Sequence, residues 1–215
     1  MKKLLHIIAT PREEKSRSLK VAEAFLESFR HKHPKWVVEE LNLAKTELPS
    51  LSLKMVSGKY VLLDGKDLTG ELKQSWKEVL AYIDQFLSAD GYLITSPMWN
   101  FNIPYMLKHY IDLIVQPRYL FRYSDKGYEG LVKGKKMVVV GSYGGNYTTD
   151  QTKHLNFHEP YLRAIFGLVG ITDMSFAIAQ PADMGKEMEQ KAVQSAIEIA
   201  KKLEVFGDVD LGLSA

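Results

Sequence analysis

Three short stretches carry residue types that could do chemistry together. The first is Thr10-Pro11-Arg12-Glu13-Glu14-Lys15-Ser16-Arg17-Ser18, which leads into an amphipathic run. Its hydroxyls, with the unpaired N–H groups at the positive end of a helix, suit a phosphate. Serine also caps helices everywhere, so Ser16 or Ser18 could be a cap and nothing more. The stretch is not a Walker loop, because the glycines and the Gly-Lys-Ser/Thr ending are missing. The second stretch, Thr95-Ser96-Pro97-Met98-Trp99-Asn100-Phe101-Asn102-Ile103-Pro104, sets two aromatics between two stiffening prolines. Such a loop suits a flat heteroaromatic ring, which needs a stacking face and hydrogen-bond donors at its polar edge. The bland alternative, that Trp99 and Phe101 are core residues, is the commoner fate of aromatics. The third, Gly141-Ser142-Tyr143-Gly144-Gly145-Asn146-Tyr147, pairs two glycines whose missing side chains let backbone approach a ligand closely.

Other chemistry is excluded by what the chain lacks. Cysteine is absent, which removes disulfides, thiolate zinc, iron–sulfur clusters and thiol nucleophiles, so redox activity needs a borrowed cofactor. His154 and His158 are four apart, as in a helical zinc site, but Leu155 stands where the metalloprotease pattern needs Glu. Isolated histidine pairs are usually solvated or capping, and no metal is expected. The hydrolase elbow Gly-x-Ser-x-Gly is only approximated by Gly141-Ser142-Tyr143-Gly144. The scattered methionines, such as Met55, Met106, Met174, Met184 and Met188, read as core gap-fillers. A formal net charge of +2 gives no basic excess for a phosphate backbone, so nucleic acid is not an expected partner.

The elements that must position these loops are legible from periodicity. Leu4 to Ile8 is a short apolar run followed by Thr10-Pro11, the pattern of a strand buried on both faces. With His6 inside it and the charged Arg12-Glu13-Glu14-Lys15 after it, Met1 to Ala9 reads as a first strand, not a signal peptide. No uncharged apolar run approaches the roughly 18 to 20 residues of a membrane span, and a soluble cytoplasmic protein is expected. Leu19, Val21, Ala22, Phe25, Leu26 and Phe29 form a helical stripe starting near Ser18. A second strand is predicted over Trp36 to Leu43, a helix over Leu72 to Leu87 and a third strand over Gly91 to Thr95. Pro104 falls at the first helical position ahead of Met106, Leu107, Tyr110, Ile111 and Ile114. Strands over Met137 to Val140 and Asp173 to Ala179, and a helix from Lys186 to Val205, complete the pattern.

Strands alternating with helices imply parallel crossovers in an α/β sheet covered on both faces. Ligands then bind beyond the carboxyl ends of the strands, which is where all three stretches fall. Thr46 to Gly70 is long for a structureless loop and is predicted to be a partly helical excursion or a lid. Gln116 to Gly134 interleaves Tyr119, Phe121, Tyr123 and Tyr128 with Arg118, Arg122, Lys126 and Lys133, a composition typical of an interface.

The middle stretch carries a family resemblance. Ser96-Pro97-Met98-Trp99-Asn100-Phe101-Asn102-Ile103-Pro104, with Leu107-Lys108, Tyr110-Ile111-Asp112, Phe121-Arg122-Tyr123, Gly130 through Lys136, Pro160-Tyr161-Leu162 and Gly167 to Asp173, resembles the FMN-dependent NADH azoreductases and quinone reductases of flavodoxin-like fold. The resemblance implies one domain over residues 1–215, a doubly wound five-stranded parallel sheet of order 2-1-3-4-5 with helices on both faces. It implies that Thr10, Ser16, Arg17 and Ser18 hold the FMN phosphate, that Met98, Trp99, Asn100 and Phe101 line the flavin, and that Ser142, Tyr143, Gly144 and Gly145 close over its other edge. Hydride would pass from NADH or NADPH through flavin N5 to a quinone or azo compound in ping-pong order, with Trp99, Phe121 and Tyr123 shaping the substrate pocket. The protein would supply positioning and backbone donors, with no single catalytic residue singled out. The family is dimeric, with active sites at the subunit boundary. Two departures, Trp99 where Tyr is usual and Tyr143 where Arg is frequent, bear on donor and acceptor choice. The rival functions are a one-electron flavodoxin carrier, whose reliance on an acidic docking surface the net charge of +2 speaks against, and a non-catalytic flavin-binding regulator.

Overall fold

A computed structural model describes residues 1–125 and 127–207; Lys126 and residues 208–215 lie outside the described residues. The apolar runs form β1 (Lys3–Ile8), β2 (Val37–Asn42) and β3 (Gly91–Thr95), with the remaining sheet strands β6 (Lys136–Ser142) and β7 (Asp173–Ala179) later in the chain. All pair in parallel in the order β2-β1-β3-β6-β7, which is the expected 2-1-3-4-5 sheet. The register sets Ile8 beside Thr95, Thr95 beside Val140 and Ser142 beside Ala179, so the carboxyl ends of four strands finish together.

Each sheet face is covered because every central strand is apolar on both sides. On one face α1 (Arg17–Lys32) and α7 (Lys186–Lys202) bury Val21, Ala22, Phe25 and Ala196 against Leu4, Leu93 and Val138. On the other, α4 (Lys77–Ser88), α5 (Tyr105–Ile114) and α6 (His158–Val169) bury Ile83, Phe86, Leu107 and Phe166 against Leu5, Ile7, Ile94 and Val139. Fully burying one such side chain is worth roughly 1.5–3 kcal/mol, so these two layers dominate the stability.

Several boundaries differ from expectation for physical reasons. The helix expected over Leu72 to Leu87 is broken at Trp76 into α3 (Gly70–Ser75) and α4. The Trp76 indole is buried and wedged against Gly58 of α2 (Leu53–Leu63), where any Cβ would collide with it. The apolar stripe continues through the break, so spacing could not reveal it. Pro104 is the residue before α5 and not its first: its φ of −60° and ψ of 147° are extended, and its carbonyl accepts from the Leu107 and Lys108 amides. The last helix stops at Lys202, and Val205 and Phe206 fold back into the core, Phe206 against Phe29 and Trp36. The 46–70 excursion is partly helical through α2. The 116–134 segment contains an antiparallel hairpin, β4 (Phe121–Ser124) and β5 (Gly127–Gly130), that the sequence reading did not anticipate. Among the described residues no helix is long and apolar enough to cross a membrane.

Candidate functional site

The three stretches meet at the carboxyl edge of the sheet because the strands that deliver them are neighbours. The Ser18 and Ser142 hydroxyl oxygens lie 2.9 Å apart, and the Met98 amide donates to the Ser142 carbonyl at 3.0 Å. Ser142 therefore ties the helix after β1 to the loop after β3. A 3-10 turn (Glu13–Lys15) precedes α1, and Ser16, nearly buried, caps the helix by accepting from the Leu19 amide at 3.3 Å. Thr10 and Ser18 are buried as well, and Thr10 Oγ1 accepts from the Arg12 amide at 3.4 Å. Three hydroxyls and the first-turn amides of α1, which have no intrahelical partner, thus share one corner.

Arg17 points elsewhere. Its guanidinium donates to Asp183 Oδ1 at 2.6 Å and pairs with Glu189 Oε1 at 2.9 Å, beside the start of α7. The hydrogen bond to Glu189, offset in part by burial, raises its already high pKa further. Gly144 admits this arrangement, since a Cβ there would stand 2.5 Å from Asp183 Oδ2.

The loop after β3 is a miniature hairpin. Trp99 and Asn102 exchange both backbone hydrogen bonds, at 2.8 and 2.9 Å, and the two residues between them have φ of 47° (Asn100) and 68° (Phe101). Two successive non-glycine residues in the left-handed region are costly, of order 1–3 kcal/mol each, and such strain clusters at ligand sites. The turn is held from outside by the Phe157 amide donating to the Phe101 carbonyl at 2.9 Å. Phe101 is 41% exposed, so it is not core. Trp99 is half-buried and packs on the core edge. Beside it a cavity of about 310 Å³ is lined by Pro11, Leu43, Trp99, Tyr105, Met106 and His109.

Tyr143 turns its side chain away from the surface of the loop. That side chain is 1% exposed, with its hydroxyl 3.0 Å from His158 Nδ1. Its amide donates to Ala179 and its carbonyl accepts from Ala182, so its backbone is also committed. His158 is not the solvated or capping residue that the sequence suggested. It is the first residue of α6, fully buried, with Nε2 2.9 Å from Ser96 Oγ, while His154 is exposed in a separate 3-10 turn (Lys153–Leu155). Burial holds the His158 imidazole neutral, its pKa lowered to about 4, and pushes the Tyr143 phenol up. No spacing rule signals these contacts, nor the Asp183 and Glu189 partners of Arg17.

The aromatic segment lies at the other end of the sheet. α5 carries the chain away from the three loops, and Gly130 abuts the backbone of Val169 and Gly170 just before β7 begins. Phe121 is buried in the core of its own chain and is withdrawn from the expected substrate pocket. Tyr123 and Tyr128 remain 56% and 61% exposed, their rings 4.7 Å apart.

A family model described as flavodoxin-like fold matches residues 2–203. An FMN-dependent NADH:quinone oxidoreductase of Desulfotalea psychrophila is 35% identical over 208 residues, covering 94% of this chain and 98% of that protein. FMN-dependent NADH:quinone oxidoreductase 2 of Listeria monocytogenes is 36% identical over 206 residues, with the same coverage of 94% and 98%. Among solved structures, an FMN-dependent NADH-azoreductase from Bacillus anthracis in complex with FMN superposes with a TM-score of 0.81 at 33% identity, covering 93% of this chain and 98% of that one. An azoreductase from the Sterne strain of the same species gives 0.85 at 31% identity, covering 94% and 98%.

Proposed function

The chain belongs to the flavodoxin-like-fold family of FMN-dependent NADH:quinone oxidoreductases, and from that membership we propose that it oxidises NADH with FMN and reduces a quinone or azo compound. The observation that carries this reading is the meeting of Ser18, Ser142 and Met98 at one corner of the sheet edge. The donor set there fits the cofactor: buried hydroxyls of Thr10, Ser16 and Ser18 with the α1 amides would hold the phosphate dianion. The Arg17 guanidinium is already engaged by Asp183 and Glu189, so Arg17 would serve the phosphate through its backbone amide in the first turn of α1.

FMN, when bound, supplies two-electron transfer, taking from NADH and giving to the acceptor in turn, the ping-pong order. The strained turn at Asn100 and Phe101 would present a rigid wall to the ring, flanked by Met98 and Trp99. Ser142, Gly144 and Gly145 offer backbone along the opposite edge, where fixed donors stabilise negative charge without reorganising. Trp99 and the cavity beside it would seat the acceptor. Nothing in this site requires a metal.

We read the active form as a homodimer. α2 shows solvent a stripe of Leu53, Val56, Tyr60 and Leu63, apolar residues on the helix face opposite its buried Met55 and Leu62. Arg118, at the foot of the hairpin, donates to the Lys66 carbonyl and pairs with Asp67, which ties the segment after α2 to the hairpin that carries the exposed Tyr123 and Tyr128. The near-neutral charge favours a small-molecule acceptor over nucleic acid. The test is direct: the purified protein should show an oxidised-flavin spectrum or bind one FMN per chain, and should consume NADH with a quinone. A protein that ignores added FMN overturns the reading.

A further inference from the structure

Three buried side chains from three separate segments form one chain of hydrogen bonds beneath the proposed flavin loops. Ser96 follows β3, Tyr143 follows β6 and His158 opens α6, and none is more than 1% exposed. The direction of the chain is fixed by its end. The Pro97 carbonyl can only accept, so the Ser96 hydroxyl donates to it, at 3.3 Å, and Ser96 Oγ accepts from His158 Nε2–H at 2.9 Å. The remaining lone pair on Nδ1 then accepts from the Tyr143 hydroxyl at 3.0 Å. One neutral imidazole, donating from Nε2 and accepting at Nδ1, satisfies both neighbours.

We propose that His158 is a positioning residue of the flavin site, bracing the Ser96–Asn102 loop and the Ser142–Gly145 loop in the spacing that the ring requires. Its reach is wider than two hydrogen bonds. The preceding residue, Phe157, holds the Phe101 carbonyl of the strained turn, so the start of α6 grips the β3 loop at both ends. Tyr143 also packs edge-on against Tyr147, which in turn meets Phe101, with ring centroids 6.0 Å apart in each pair. The two loops are otherwise joined through the Met98 amide on the Ser142 carbonyl and the Ser96 amide on the Val140 carbonyl. Loosening His158 frees the side chains that keep those bonds in place.

The inference rests on the FMN reading for its consequence, and its test separates the two. Tyr143→Phe, His158→Leu and His158→Gln are compared with the wild type by amide hydrogen exchange in the FMN-free protein, by FMN titration and by the midpoint potential of bound flavin. Tyr143→Phe and His158→Leu should speed exchange in the two loops at least tenfold, weaken FMN binding about tenfold and shift the potential. His158→Gln, which can donate to Ser96 and accept from Tyr143, should recover most of each. Loops that exchange as in the wild type, or FMN affinity and potential unchanged in both variants, overturn the proposal and leave a packing cluster. If His158→Leu does not fold, Tyr143→Phe, which removes only a hydroxyl, decides alone. A wild type that takes no FMN sinks the functional reading, while the exchange measurement still judges the brace.

Discussion

Ser18 and Ser142 are 124 residues apart in the chain, and their hydroxyl oxygens sit 2.9 Å from each other. That contact joins the start of α1 to the end of β6, and through the Ser142 carbonyl it reaches the Met98 amide. It would let the helix start proposed for the phosphate and the loop proposed for the ring serve one ligand. Ser16 caps α1 at the same helix start, and the proposed phosphate role would be additional to that cap.

The serines should therefore separate into two effects. Ser16→Ala is expected to cost the FMN-free protein about 1 kcal/mol, the usual worth of an N-cap. Ser18→Ala should change folding less. Both should weaken FMN, because a hydrogen bond to a charged phosphate is worth roughly 1.5–3 kcal/mol, about ten- to hundredfold in Kd for each. Thermal melts without flavin, set beside FMN titrations, measure the two separately. A double variant that binds FMN as tightly as the wild type removes this corner from the phosphate site.

Trp99 stands between the strained turn and the adjoining cavity, half-buried on the core edge. Trp99→Ala is expected to lower quinone turnover at least tenfold with little change in FMN affinity, and Trp99→Tyr to keep most of it. Steady-state rates with saturating FMN check this. Equal kinetics in the Ala variant would mean that the ring serves packing alone.

How much of this was legible in the sequence follows from how local each feature is. β3 and β7 are read correctly to the residue because a run such as Gly91 to Thr95 is apolar on both faces and bounded by polar residues. The hairpin escaped because its exposed Tyr123 and Tyr128 lie among charged residues and bury only one end, at Phe121. The three candidate loops are legible from composition at strand ends, but the partners that fix them are not. Arg17 meets Asp183 and Glu189 across 166 and 172 residues, and His158 meets Ser96 across 62. Such pairs are created by the sheet order and carry no spacing of their own.

Acid should weaken the fold through His158. Its pKa falls from 6.5 to about 4 because burial penalises the charged form. The unfolded chain then binds a proton that the folded chain refuses, so the stabilising contribution is complete above about pH 6.5 and is lost as pH falls towards 4. The full window is worth about 3 kcal/mol. Melts of the FMN-free protein at pH 7 and pH 4.5 should show a larger acid loss in the wild type than in His158→Leu, although the variant starts lower. The carboxylates are common to both proteins, so their share of the acid loss cancels in the difference. Parallel losses would mean that His158 is charged in the folded state.

The last prediction concerns the hairpin, which sits at the amino end of its own sheet while the proposed flavin loops sit at the carboxyl end. Tyr123, on that hairpin, is therefore expected to touch acceptor or donor in a second copy. Sizing chromatography with light scattering should give a dimer, and replacing Tyr60 and Leu63 on the exposed face of α2 by Glu should shift it towards monomer. A mixed dimer tests the exchange of parts: one subunit loses FMN binding through Ser16→Ala and Ser18→Ala, and the other keeps FMN but carries Tyr123→Ala. The flavin-bearing subunit then has only its partner's intact Tyr123. Turnover per flavin equal to the wild type is the expected result, because the ring that matters comes from across the interface. Turnover no better than that of the Tyr123→Ala homodimer, where that homodimer is itself impaired, would mean that each site is built from one chain, and the hairpin would then need another role.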